Sequence, residues 1–203
     1  MKLKEICTFI GAGLIKSKDG STEGTLLKTN AIPLSPGFVN FGNPFDPEQT
    51  TESCFVRDSN QMDELNLRHN DILLITKGSS NRVGIVNSPQ DTISPFLYPS
   101  NTLTLIRVNP ELYSPYFLMS WLATNSGLVA LQNIATGSVI RSISLSKLRT
   151  LEIPSISLSE QQPFEQAATA LFHSQEAALQ TIGAKSSLFF HSLENRLAKE
   201  NSK

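Results

Sequence analysis

Residues Ala135 to Gln162, ATGSVIRSISLSKLRTLEIPSISLSEQQ, run directly into a sequence of helical period that continues to Lys203. Ile153-Pro154 predicts a short strand stopped by a proline, which cannot extend a ladder. Ser159 then reads as a helix N-cap, with Gln162 three residues on as its capping-box partner. Beyond that point apolar or small residues recur at Phe164, Ala167, Ala168, Leu171, Ala178, Ile182, Phe189, Leu193 and Leu197. Their spacing of roughly 3.5 to 3.6 residues marks one helix with a continuous stripe, interrupted by Gln175 and Lys185. About 40 residues of helix span on the order of 60 Å, with Gly183 the place for a kink or break. A folded head followed by a rod divides the work: the head recognises and the rod supplies partners. The division falls at residues 1–157 and 158–203.

The head reads as short strands separated by turn chemistry. Strands are expected around Thr25–Lys28, Cys54–Val56, Ile72–Thr76, Arg82–Val86 and Leu103–Val108, where β-branched and apolar residues cluster between Pro, Gly, Asn and Ser. Leu103, Leu105 and Arg107 alternate with Thr104, Ile106 and Val108, so this strand buries most of both faces. Lys77-Gly78-Ser79-Ser80-Asn81 forms a small polar loop between two strands. Ser114-Pro115 opens a helix carrying Tyr116, Phe117, Met119, Trp121 and Leu122, and a second helix covers Leu128–Asn133. The aromatics sit at helical spacing and read as core.

Among 203 residues, 39% are hydrophobic and 17% charged, as in a globular protein. No apolar run approaches the 20 or so residues that span a bilayer, and the start, Met1-Lys2-Leu3-Lys4-Glu5, has no signal-peptide core. Cys7 and Cys54 are isolated and read as buried, reduced thiols, which fits a cytoplasmic protein.

The net charge of -1 conceals a division. Asp46, Glu48, Glu52, Asp58, Asp63, Glu64 and Asp71 face only Arg57 and Arg68 in the same stretch. From Lys77 to Arg149 the only acids are Asp91 and Glu111, against Lys77, Arg82, Arg107, Arg141, Lys147 and Arg149. A local positive surface attracts phosphates even on a neutral molecule.

Enzymatic chemistry lacks its residues. His69, His173 and His191 have no cysteine or carboxylate at metal-ligand spacing. Gly11-Ala12-Gly13 is missing the third glycine of a dinucleotide loop, and no phosphate-cradling G-x-x-x-x-G-K occurs. Asn109-Pro110-Glu111-Leu112 lacks the second proline and the aromatic of the adenine-methyltransferase loop, and reads as a strand-to-helix turn. Ile75 stands where a metal-dependent nuclease needs an acid before Lys77. No catalytic residue, metal or cofactor is expected.

Several pieces, in order, resemble one family. They are Lys2-Leu3-Lys4-Glu5-Ile6, Asn70-Asp71-Ile72-Leu73-Leu74 before Lys77-Gly78, Arg82-Val83-Gly84-Ile85-Val86, and the strand ending Arg107-Val108. Thr136-Gly137-Ser138, Ile140-Arg141-Ser142-Ile143 and Leu148-Arg149-Thr150-Leu151-Glu152-Ile153-Pro154 then lead into Glu160-Gln161. Together they resemble the DNA-specificity (S) subunit of type I restriction–modification systems, reduced to one target-recognition domain and one spacer helix. That resemblance implies an α/β domain with a twisted mixed or antiparallel sheet and short helices, then a long C-terminal coiled-coil helix. It also implies a non-catalytic subunit that brings a DNA methyltransferase, and through it an endonuclease subunit, to a bipartite duplex target. Family members carry two recognition domains and two spacers, so this chain looks like a half-subunit that forms a homodimer through its tail.

The residues agree with that chemistry. Lys77, Ser79, Ser80, Asn81 and Arg82 crowd base- and phosphate-binding groups onto one turn, Thr136, Ser138 and Arg141 onto a second, and Lys28 and Asn30 onto a third. The partner-facing stripe comprises Phe164, Ala168, Leu171, Ala178, Ile182, Phe189, Leu193 and Leu197. The competing reading is a defence- or phage-related adaptor that keeps the fold without reading DNA.

Overall fold

Ile72-Leu73-Leu74-Ile75 and Leu103 to Val108 have no wholly polar face, and both lie in the middle of a sheet. The computed structural model describes residues 1–18, 22–41, 50–57, 60–88, 96–138 and 140–200, with side chains to Glu194. Asp46, Glu48, Asp58 and Asp91 of the charge division fall outside the described residues, and the Leu197 side chain is likewise not described.

The strands are β1 (Cys7–Ala12), β2 (Thr22–Leu27), β3 (Thr51–Val56), β4 (Ile72–Ile75), β5 (Val83–Ile85), β6 (Leu97–Pro99) and β7 (Leu103–Val108). The helices are α1 (Met62–Leu65), α2 (Pro115–Leu122), α3 (Asn125–Ile134), α4 (Leu145–Arg149) and α5 (Leu158–Glu200). An antiparallel sheet has the order β1-β7-β4-β5, and a mixed sheet the order β3-β2-β6, with β2 antiparallel to β3 and parallel to β6. The expected mixed and antiparallel α/β architecture with a long C-terminal helix is therefore what forms.

Strand alternation assigns each side chain to a layer. Ile72, Leu74, Ile106 and Val108 point to one face of the central sheet, where Leu118, Met119, Leu122, Leu131 and Leu148 of the helices cover them. Leu73, Ile75, Leu103 and Leu105 point to the other, against Leu27, Ile32, Val39, Leu67 and Leu97. Leu14, Leu26, Val56, Leu65 and Tyr98 make a third cluster on the smaller sheet. Two strands escape a reading by propensity. β1 carries two polar or tiny residues for every bulky one, and β6 ends in Pro99, which only an edge position tolerates.

Arg107 is the one charge on β7, and it is a structural clamp rather than part of a positive surface. Its Nε and Nη2 donate to the two Asp71 carboxylate oxygens at 2.7 Å each. Nη1 and Nη2 also reach the carbonyls of Glu64 (2.9 Å) and Asn66 (3.0 Å), and the Arg68 N–H donates to Asp71 at 2.7 Å. The Asp71 side chain is 1% exposed, so the pair ties β7 to the turn that precedes β4.

Helix α2 begins as expected, with Ser114 accepting from the Phe117 N–H at 3.2 Å and Pro115 in the first turn. Asn109 makes the foreseen strand-to-helix turn, its Oδ1 accepting from the Glu111 N–H at 3.0 Å. Three expectations about the tail are corrected. Ile153-Pro154 makes no strand; the region contributes a single bridge from Glu152 to Lys2, and the unforeseen α4 occupies the residues before it. The cap of α5 is Ser157, not Ser159: Glu160 Oε2 accepts from the Ser157 N–H at 2.9 Å, and Ser157 Oγ accepts from the Glu160 N–H. Ser159 fails as a cap because Ser157 and Glu160 close the box one half-turn earlier. The Ser157 hydroxyl and N–H hold Glu160 below the usual carboxylate range, so the box persists through mild acid and is lost only as pH falls through that lowered value. Gly183 does not break the helix, which runs unbroken from Leu158 to Glu200.

The first turns of α5 belong to the body. Gln161 is wholly buried; its Oε1 accepts from the Ser114 N–H at 2.8 Å and its Nε2 donates to the Ile156 carbonyl at 3.0 Å. Phe172, 2% exposed, packs edge-on against Phe38 and stacks with Tyr116. Tyr113 donates to the Pro154 carbonyl at 3.1 Å, and burial pushes its phenol up to about 12, keeping the donor protonated. Ala168 is 8% exposed within this cluster, so its assignment to a partner-facing stripe is wrong: the body itself covers it. Leu171, Leu179, Ile182, Phe189 and Leu193 are each more than 40% exposed.

Removing Arg107 strands a buried carboxylate. Arg107→Ala is expected to cost about 3–5 kcal/mol, read as a fall in the urea midpoint at unchanged slope. Joint replacement by Asp71→Leu and Arg107→Met should recover most of it. The cysteines are half-buried rather than buried, but they differ. Burial pushes the Cys7 thiol up to about 12, leaving a thiolate fraction of about one in ten thousand at pH 8. Iodoacetamide at that pH should therefore modify Cys54 well before Cys7, as read by peptide mass mapping.

Candidate nucleic-acid interface

Two loops separated by more than fifty residues in sequence are joined by backbone hydrogen bonds. Lys77 bridges Ser142 in antiparallel fashion, the Gly78 N–H donates to the Arg141 carbonyl at 3.2 Å, and the Ile143 N–H donates to the Thr76 carbonyl at 2.9 Å. The second loop also closes on itself. Thr136 and Ser142 exchange both N–H···O bonds, at 2.9 and 2.8 Å, and Gly137 turns the chain at φ 106°. A Cβ on Gly137 would lie 2.3 Å from the Ile140 carbonyl oxygen. Glycine is required there on both counts. Gly78 supplies a second positive φ, 145°, where the first loop leaves β4.

This ladder brings six of the expected site residues to one place. Lys77, Ser79, Ser80, Thr136, Ser138 and Arg141 are all exposed on the two joined loops. Among the described residues, neither Lys77 nor Arg141 has an ion-pair partner. Exposed ammonium and guanidinium groups beside four hydroxyls suit phosphate oxygens and base edges.

Other site residues have structural duties. Asn81 is half-buried, its Nδ2 donating to the Ile75 carbonyl at 2.9 Å, which staples the loop rather than facing outward. Arg82, counted with the DNA-facing groups of that turn, is half-buried; its Nη1 donates to the Ile32 carbonyl at 3.1 Å. Arg149 Nη2 likewise donates to the Ile10 carbonyl at 2.8 Å. The positive region is thus smaller than the residue count implies, because Arg82, Arg107 and Arg149 all bond to the protein itself. Lys28 and Asn30 flank and occupy the 3₁₀ turn Thr29–Ala31, away in sequence from both loops.

Ile140, 69% exposed between Ser138 and Arg141, adds an apolar side chain to the surface of this polar loop. Its signal was positional, since it sits inside the glycine-turned loop. No group of three His, Cys, Asp or Glu side chains placed to hold a metal occurs among the described residues, nor does any helix long and apolar enough to cross a membrane.

No protein-family model matches the chain, and no curated protein matches it in sequence. Solved structures do. An S subunit of a type I restriction–modification system from M. genitalium aligns over 87% of this chain at 17% identity and TM-score 0.49. An HsdS subunit from Thermoanaerobacter tengcongensis aligns over 90% at 19% identity and TM-score 0.46. A chain from a structure concerned with complex assembly and conformational transition of the type I R-M system aligns over 92% at 18% identity and TM-score 0.50. The chain spans only 38 to 40% of the length of these neighbours. At such identity the likeness is one of fold, and at that level the resemblance drawn from the sequence holds.

Gly137→Ala should distort the second loop and, through its ladder, the first. A loss of about 1–3 kcal/mol is expected for the strained φ, read as a lower urea midpoint, whereas Ser138→Ala should leave the midpoint unchanged.

Proposed function

We propose that the chain is a non-catalytic DNA-recognition subunit whose body contacts duplex DNA through the joined loops at Lys77–Ser80 and Thr136–Arg141. The observation that carries this reading is the backbone ladder from Lys77 to Ser142, which holds together several hydroxyls and two cations with no ion-pair partner among the described residues. Arg107, Arg149 and Asn81 serve the fold, and Arg82 is not counted among the groups that touch DNA. By the fold resemblance, the bound site is presented to a DNA methyltransferase subunit and, where one exists, an endonuclease subunit.

The overall charge of -1 sets the affinity scale. A few phosphate contacts give weak, salt-dependent binding, with a slope of about one unit per contact. The lone chain should therefore bind duplex DNA weakly and tighten when a partner subunit encloses it.

The exposed distal face of α5 supports self-association. Leu179, Ile182, Phe189, Phe190 and Leu193, which share one side of a helix of about 3.6 residues per turn, are all at least 43% exposed, and Phe189 and Phe190 form an edge-to-face pair with centroids 5.4 Å apart. Two such helices packed antiparallel about a two-fold axis bury both faces and place one body at each end. Leu171, 54% exposed near the body, and Phe164, 60% exposed but in edge contact with Phe117, lie at the margin of that interface. Ala178 is exposed on the same half of the helix. The DNA target is then an inverted repeat with a gap.

Two measurements test this reading. Arg141→Ala and Lys77→Ala should each weaken binding to a sequence selected from random duplex DNA. The cost is about 1–3 kcal/mol with relaxed specificity at one position if a bidentate base contact is lost. If the lost contact is to phosphate, all sequences weaken alike and the salt slope drops by about one. Binding by both variants as tight as wild type would refute the interface. Separately, Ile182→Asp with Leu193→Asp should convert a dimer to a monomer in sedimentation at micromolar concentration. A wild-type chain that is strictly monomeric would refute the symmetric arrangement.

A further inference from the structure

We infer that Arg82 is a positioning residue that locks residues 28–32 to the loop at 76–82, which the backbone ladder already joins to Thr136–Ser138 and Arg141–Ser142, and so completes a single recognition surface. The inference rests on the proposed DNA interface for what that surface is used for, but the lock itself is a property of the free chain.

The guanidinium's own commitments restrict it as a base reader. A bidentate contact uses either the Nη1/Nη2 edge or the Nε/Nη2 edge. Nη1 is committed to the Ile32 carbonyl at 3.1 Å, and Nε is sealed from solvent with no hydrogen-bond partner. The Nε/Nη2 edge is therefore closed, and Nη1 keeps only one N–H beyond its bond to Ile32.

The same commitments make it a strut. On the Arg82 side, the Ile75 N–H donates to the Arg82 carbonyl at 2.9 Å, so its backbone closes the base of the first loop opposite the end of β4. On the far side, Ile32 is fully buried and directly follows the 3₁₀ turn Thr29–Ala31, where Lys28 and Asn30 sit. The Asn40 N–H donates to the Ala31 carbonyl at 2.9 Å and closes the loop beyond the turn. The third segment is already bound to the first through Gly78 and Arg141. Arg82 thus supplies a side-chain link between the Lys28–Ile32 segment and a pair of loops that share a backbone ladder. A planar cation reaching a buried carbonyl is a task for arginine, since methionine of similar length carries no donor.

Amide hydrogen exchange of the free full-length chain, followed by mass spectrometry, tests the lock without DNA. In Arg82→Met, peptides covering residues 28–40 and 76–82 should exchange about tenfold faster or more, the loss set by a charge-assisted hydrogen bond. Peptides from Leu103–Val108 should be unchanged. Sequence selection with the same variant should then return the wild-type consensus with all positions weakened together. Unchanged exchange in both peptides overturns the lock, as does relaxed specificity at a single base pair. If Arg82→Met unfolds the chain, seen as fast exchange of Leu103–Val108 as well, Arg82→Lys decides. A single ammonium donor to Ile32 should restore part of the protection in residues 28–40, and full exposure of that segment in a folded Arg82→Lys chain overturns the inference. A wild-type chain that binds no duplex while showing the expected exchange pattern leaves the lock standing and refutes the DNA reading alone.

Discussion

A sheet with two apolar faces has to be covered twice, and the rest of the body follows from that requirement. β4 and β7 contribute Ile72, Leu74, Ile106 and Val108 to one side and Leu73, Ile75, Leu103 and Leu105 to the other. At about 25 cal/mol per Å² of apolar surface, leaving either face wet would remove most of the driving force for folding. The helices from α2 onward take one side, and the smaller sheet with the Lys28–Val39 segment takes the other. The first candidate loop leaves the end of β4 and the second is bonded to it there, so the polar surface rests on the core beneath it.

What could be read from the sequence tracks how locally each feature is encoded. The continuous apolar runs of β4 and β7, the Ser114-Pro115 helix start and the Asn109 turn depend on neighbours a few residues away, and they form as read. β6 is the opposite case. Leu97-Tyr98-Pro99 is a strand only because β2 lies parallel beside it, a contact across seventy residues. The capping box shows a subtler failure. Ser157 with Glu160 and Ser159 with Gln162 obey the same local rule, and the structure selects the first pair. The same holds for the site. Lys77, Ser79, Thr136 and Arg141 were legible as polar loop residues, but their union by a backbone ladder was not. Nor were the internal bonds of Arg82, Arg107 and Arg149, because no local pattern separates a cation facing solvent from one facing a carbonyl.

The long helix is two objects in sequence. Up to Phe172 it is a core element, fixed by Gln161 at the start of α2 and by aromatic contacts to Phe38 and Tyr116. The Ala168 error has its origin here. A single period of apolar residues runs along the whole helix, and periodicity alone does not say which turn faces the chain's own body and which faces outward.

That asymmetry has a thermodynamic consequence for the distal half. From Ala177 to Glu194 every described residue is exposed except Gly183 and Ser187, which are half-buried. Gly183 has no atom within 4 Å of a hypothetical Cβ. A helix without tertiary support over that length is marginal in water, and a glycine at its middle costs about 1 kcal/mol against alanine. The proximal turns act as a nucleus from which helical order propagates outward, decaying toward the end unless something covers the apolar face. Whatever binds there must therefore bear part of the entropy of ordering it, on the order of 1 kcal/mol for each residue fixed. The helix's reach is thus conditional: rigid where the body holds it, and lengthened by its partner beyond.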